Sequence, residues 1–204
     1  MKTYEFTGKT MNHNGVVLQQ IKKIADGTIG GWIEKEDNLA HDGSWVGDNA
    51  KVYNNAVVSG GSKVYGNAEV FDNAEVIKGA SISKDAKIYG NARVGGSIYI
   101  YDNAEVFDNA HVYGIGLLIF CNAKVCQKAD VRDEVEICGS ATIKGEAKIY
   151  EYAKVGGYAV VTDNAEVFNY AKVGGHAIIC GNAIVGGTAN IEEDGEFNGR
   201  TYGK

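Results

Sequence analysis

Aliphatic residues recur at every sixth position along most of the chain. They fall at Val46, Val52, Val58, Val64, Val70, Val76, Ile82, Ile88, Val94, Ile100, Val106 and Val112. The phase slips by one residue within Tyr113-Gly114-Ile115-Gly116-Leu117-Leu118, resumes at Ile119 and runs to Ile191. Four residues after most of these positions stands a small residue, as at Ala50, Ala56, Ala68 and Ala74. Each short unit therefore reads alanine, charge, aliphatic, then aromatic or small, as in Ala50-Lys51-Val52-Tyr53. Period-two geometry turns Ala50 and Val52 inward and Lys51 and Tyr53 outward. The residues between units are Gly, Asp and Asn, which tolerate the left-handed backbone of a tight corner. A fixed repeat of this length predicts an all-β, single-stranded parallel β-solenoid. Three strands and three corners close a triangular coil of about eighteen residues, giving about eight coils stacked roughly 4.8 Å apart.

Outward charges support that coil length. At a spacing of one coil, one face reads Lys51, Glu69, Lys87, Glu105, Lys124 and a second reads Glu75, Arg93, His111, Asp130, Lys148, Glu166. Opposite charges on neighbouring strands favour pairing and like charges oppose it. Asn55, Asn73, Asn91 and Asn109 fall in one corner column, where their amides can exchange hydrogen bonds along the rod.

Residues 1–45 leave the six-residue period. Thr3 to Thr7 and Val16 to Ile24 alternate as strands, and Asn14-Gly15 between them is a hairpin signal. We expect three regions: a small N-terminal β-hairpin cap over 1–45, the solenoid over 46–191, and a polar, glycine-rich C-terminal tail over 192–204. A cap is required because an open solenoid end exposes core and strand edges.

Composition narrows the classes. Proline is absent and there are 28 glycines among 204 residues, which suits stacked strands with tight corners. A net charge of −6, with interleaved signs, argues against a basic nucleic-acid surface. No segment reaches transmembrane length and the start of the chain lacks a signal-peptide core, so the expectation is a cytoplasmic protein without a membrane partner. Cys121, Cys126, Cys138 and Cys180 match no zinc spacing and read as reduced thiols.

The surface turns apolar beside the phase slip. Outward positions of one face read Tyr65, then Tyr99 and Tyr101, then Leu118 and Phe120, then Cys138. A contiguous exposed apolar patch marks an interface, and these six residues are the candidate interface set. A more regular stripe, Tyr53, Phe71, Tyr89 and Phe107, alternates with charges and reads as ladder stacking.

The aliphatic–Gly/Asp–Asn–Ala unit resembles the bacterial hexapeptide-repeat superfamily. That resemblance implies a left-handed β-helix, and its best-known enzymes are trimeric acyltransferases and acetyltransferases. The stretch Asp26-Gly27-Thr28-Ile29-Gly30-Gly31-Trp32-Ile33-Glu34-Lys35-Glu36-Asp37-Asn38-Leu39, followed by Ser44-Trp45-Val46, is similar to the opening of a narrower family. That family comprises acyltransferase-like proteins of enteric bacteria and short proteins of gut bacteria and their phages. The resemblance implies a histidine general base in a cleft between subunits, with acyl-coenzyme A as cosubstrate.

A general base needs an orienting partner within a cleft. His111 lies in a charge ladder and His176 at a corner; they are weak catalytic candidates, and no long loop interrupts the repeat to form a lid. Lys154 and Lys172 on one face, and Arg132 and Lys148 on another, are the basic groups available to coenzyme A phosphates. The reading favoured is a non-enzymatic scaffold or protein-binding module that self-associates as a homo-oligomer or binds a host or structural protein, without a cofactor. The alternatives are an acyl-coenzyme A-dependent acyltransferase and a phage-encoded inhibitor of a host protein.

Overall fold

The computed structural model describes residues 1–203 and is an all-β parallel solenoid with about ten coils. The only helical piece among them is a single 3-10 turn at Glu36–Asn38. None of the described residues forms a helix long and apolar enough to cross a membrane.

Three faces build the rod. The first runs from Ile29–Ile33 through Lys51–Val52, Glu69–Val70 and Lys87–Ile88 to Gly195–Asn198. The second begins at an isolated bridge between Leu39 and Val58 and ends at Thr201–Tyr202. The third begins at Trp45–Val46 and ends at Asn190–Ile191. Register follows the eighteen-residue spacing, with Val52 paired to Val70 and Val70 to Ile88. Every inward valine, isoleucine and corner alanine from Val46 to Val185 is sealed from solvent, which yields one continuous core.

The coil count exceeds the expected eight because pairing extends at both ends. Trp32 pairs with Lys51 and Trp45 with Lys63, so residues before the repeat already wind as a coil. Within 192–203, Phe197 pairs with Ile179 and Tyr202 with Val185, and their rings meet edge to face at 5.4 Å beneath the last coil.

Two antiparallel strands, β1 (Tyr4–His13) and β2 (Val16–Lys23), join the first face through β3 (Ile29–Ile33). Asn14 and Gly15 both take positive φ, 52° and 83°, the geometry of the tight hairpin turn their sequence predicts. Buried Tyr4 and Ile21 join the N-terminal end of the core.

Corners are tied from coil to coil. Asn55 donates to Asn73, Asn73 to Asn91 and Asn91 to Asn109, each at 3.1 Å. Asp72, itself at φ 59°, accepts the Gly90 N–H at 3.1 Å, and the same device recurs from Asp108 to Gln127. Tyr53, Phe71, Tyr89 and Phe107 stack in parallel with centroids 5.2, 4.9 and 4.9 Å apart. Tyr53 corrects the inside–outside pattern: it points outward yet is buried, because His13 of the hairpin packs edge-on against it at 5.5 Å.

The phase slip is absorbed without breaking the ladder. Arg93–Ile100 and His111–Ile119 are continuous strands that round the corner from the second face to the third. Ser97 pairs with Ile115, but Tyr99 already pairs with Leu118, so the extra residue lies in Ile115–Gly116 and bulges outward.

A candidate interaction face

The third face gathers the six candidate interface residues. Tyr99 pairs with Leu118, and Leu118 with Glu136 on the next coil. Tyr101 stacks on Phe120 at 5.2 Å, and the Phe120 N–H donates to the Ile137 carbonyl, beside Cys138. These five make a continuous patch in which Tyr99 is 52% exposed. Tyr65 shares the face but is separated from Tyr101 by the coil of Ser83. Its ring lies flat in the notch left by Gly47, where a Cβ would come within 2.7 Å of it.

Neighbouring corners widen the patch with residues that the period-two reading passed over. Ile115, at the tip of the bulge, is 73% exposed. Tyr152 and Tyr170 stack at 5.0 Å on the same edge, and Tyr158 stacks on His176 at 4.9 Å on the opposite edge. All three tyrosines are exposed. Aromatic residues at corners that elsewhere carry small or polar residues were the available signal. Corner side chains project away from the rod whatever their hydropathy, so the strand pattern did not weigh them.

Charge along this face is uneven. Glu136 and Lys154 form a 2.6 Å ion pair between adjacent coils. The next partner of Lys154 is Lys172, and Lys172 then faces Asn190. Lys172 thus lacks an opposite-sign neighbour in register. Among the described residues this is the one solenoid register that sets two like charges side by side.

The catalytic candidates are placed apart. His111 sits on the second face, between Arg93 and Asp130. Arg93 turns to Glu75 at 2.8 Å, and the Asp130 carboxylate is engaged by Arg132. Both ladder partners are therefore directed away from the His111 imidazole. His176 lies on the corner of the third face, with its ring on Tyr158 and its backbone N–H bonded to Asp194. Neither ring has a hydrogen-bond partner among the described residues.

The histidine that does meet a carboxylate is His13. Its Nε2 lies 3.2 Å from Glu69, which also accepts the Tyr53 hydroxyl at 3.0 Å. Burial opposes the Glu69 charge, but hydrogen bonds from His13 and Tyr53 outweigh it and hold the carboxyl below its ordinary range. This cluster pins the hairpin tip to the first face. Fifty-six residues separate His13 from Glu69, so only docking of the hairpin reveals the pair.

All four cysteines are free thiols, with Cys126 and Cys180 buried. Burial pushes the Cys138 thiol above its ordinary value, with Glu136 adding to the effect. No protein-family model matches the chain, and no curated protein sequence matches it significantly.

Proposed function

We propose that this protein is a non-enzymatic rod that self-associates through its third face and serves as a structural or protein-binding module. The observation that carries this reading is the apolar patch in which exposed Tyr99 and half-buried Leu118 and Phe120 share one flat face, with exposed Ile115 on the bulge at its edge. Its strands are held rigidly, so association costs little backbone ordering. Nine stacked strands and a side of about six residues give a face on the order of 40 Å by 20 Å. That approaches the roughly 800 Å² per partner of a standard interface. Glu136 and Lys154 lie at the border of the patch, where polar rim residues belong. The same face would serve a host or structural protein as partner.

The acyltransferase alternative has weaker support. It requires an oriented base, and both His111 and His176 have charged or aromatic neighbours that do not orient the ring.

Phe120→Asp tests the proposal. By light scattering, the native protein is expected at a multiple of its 21.8 kDa chain mass. The variant is expected at the single-chain mass with an unchanged strand spectrum. An unchanged mass between the two proteins would overturn the assignment of this face.

A further inference from the structure

A second feature lies at the N-terminal end of the rod. The Met1–Thr3 segment, the Lys23–Ala25 stretch after the hairpin and the first strands of the third face enclose a cleft of about 560 Å³. That volume is in the range of small-molecule sites, about 300–1,000 Å³. Its lining carries three lysines and no carboxylate, in a chain whose net charge is −6. Lys2 is neutralised by Glu36 at 2.6 Å. Lys23 and Lys63 have no ion-pair partner among the described residues. The Lys23 ammonium instead sits over the Trp45 ring, 4.9 Å from its centroid.

The aromatic part of the cleft is held in place by glycine. A Cβ on Gly30 would lie 2.7 Å from the Trp45 ring, and one on Gly47 would lie 2.7 Å from the Tyr65 ring. Both rings are thus seated against backbone before any ligand arrives. Trp45 is only 7% exposed, and its indole N–H makes no hydrogen bond with a described residue. The only side-chain polar atom sealed without a partner among those residues is Ser62 Oγ. Ile24, half exposed, supplies an apolar wall.

We infer that this cleft binds a small aromatic anion. Its planar ring packs against Tyr65, Ile24 and the exposed rim of Trp45, and its carboxylate or phosphate meets Lys23 and Lys63. Aromatic contact supplies area, and the unpaired ammonium groups select for negative charge. The inference goes beyond the interface reading: Trp45, Lys63 and Tyr65 belong to the same third face but lie at its N-terminal end, with the coil of Ser83 between Tyr65 and the central patch.

The test follows the indole N–H resonance of Trp45, assigned by comparison with Trp32→Phe. Adenosine monophosphate and naphthoate are the probes, with adenosine and naphthylmethanol as their neutral counterparts. At least one anion is expected to shift the resonance with a dissociation constant of about 1 mM or tighter, and its neutral counterpart to bind at least about tenfold more weakly. Response to one anion alone assigns the site to phosphate or to carboxylate. Lys23→Gln combined with Lys63→Gln is expected to weaken binding by about tenfold at an unchanged unfolding midpoint. Lys63→Gln alone, at an exposed position, keeps the test valid if the double variant loses stability. Silence with both anions, equal binding of the neutral compounds, or full affinity in the lysine variants would each overturn the inference.

Discussion

The hydroxyl of Tyr150 donates a 3.0 Å hydrogen bond to Oε2 of Glu166, sixteen residues further along the chain. Its ring meanwhile stacks on Phe168 at 5.0 Å. One side chain therefore links two adjacent coils by both its face and its tip. The relation recurs from Tyr89 to Glu105 at 2.8 Å and from Tyr53 to Glu69 at 3.0 Å. Each glutamate also receives a lysine of its own ladder, as Glu166 receives Lys148 at 3.0 Å.

This relation predicts a stability maximum bounded on both sides. The Lys148 ammonium, with help from Tyr150, holds the Glu166 carboxyl below its ordinary range. That contribution is present above the ordinary carboxylate pKa and is lost as pH falls through the lowered value. Burial first, and Glu166 second, push the Tyr150 hydroxyl up from 10.0 to about 12. Its contribution is complete below about pH 10 and is lost as pH rises towards about 12. Urea midpoints measured across pH are expected to fall at both ends. Tyr150→Phe is expected to flatten the alkaline fall, and an identical alkaline limb in that variant would refute the assignment.

Lys154 and Lys172 give the second prediction. Their side-by-side placement opposes strand pairing, and Lys172 has no compensating carboxylate in register. Lys172→Glu restores alternation through Glu136, Lys154 and position 172. The substitution is expected to raise unfolding free energy by about 0.2–1 kcal/mol. The gain should shrink at high salt because both groups are exposed. Denaturant titrations at low and high ionic strength measure it. A loss of stability at low salt would contradict the ladder argument.

Ser62 gives the third. Its backbone is paired, with the N–H donating to Ser59 and the carbonyl accepting from Trp45, yet its sealed Oγ has no partner. One coil on, the equivalent inward position is Ala80. Ser62→Ala removes an unsatisfied hydroxyl without opening a void larger than one oxygen atom. A gain of about 1–3 kcal/mol is expected in equilibrium unfolding. A decrease would mean that the hydroxyl is bonded after all.

Much of the fold was legible in the chain. The valine columns, the alternating charges of Lys51 and Glu69, the asparagine ladder and the Asn14-Gly15 turn all follow from periods and local conformational preference. So did the membership of one face by Tyr99, Tyr101, Leu118 and Phe120. What escaped was contact across long separations and at corners. His13 meeting Glu69, Tyr53 buried beneath the hairpin, and the cleft of Trp45, Lys23 and Lys63 depend on where the non-repetitive N-terminal segment docks. No period encodes that.

The amino-acid order by itself determined the winding, because an inward aliphatic every six residues admits one register, and a slip of one residue would turn that set outward. The tertiary structure alone decided which outward residues stay wet. That depends on the hairpin lying over the first face, on the bulge lifting Ile115 clear, and on corner glycines letting rings settle against the backbone. Such choices are made by shape between distant segments, where composition and spacing carry no information.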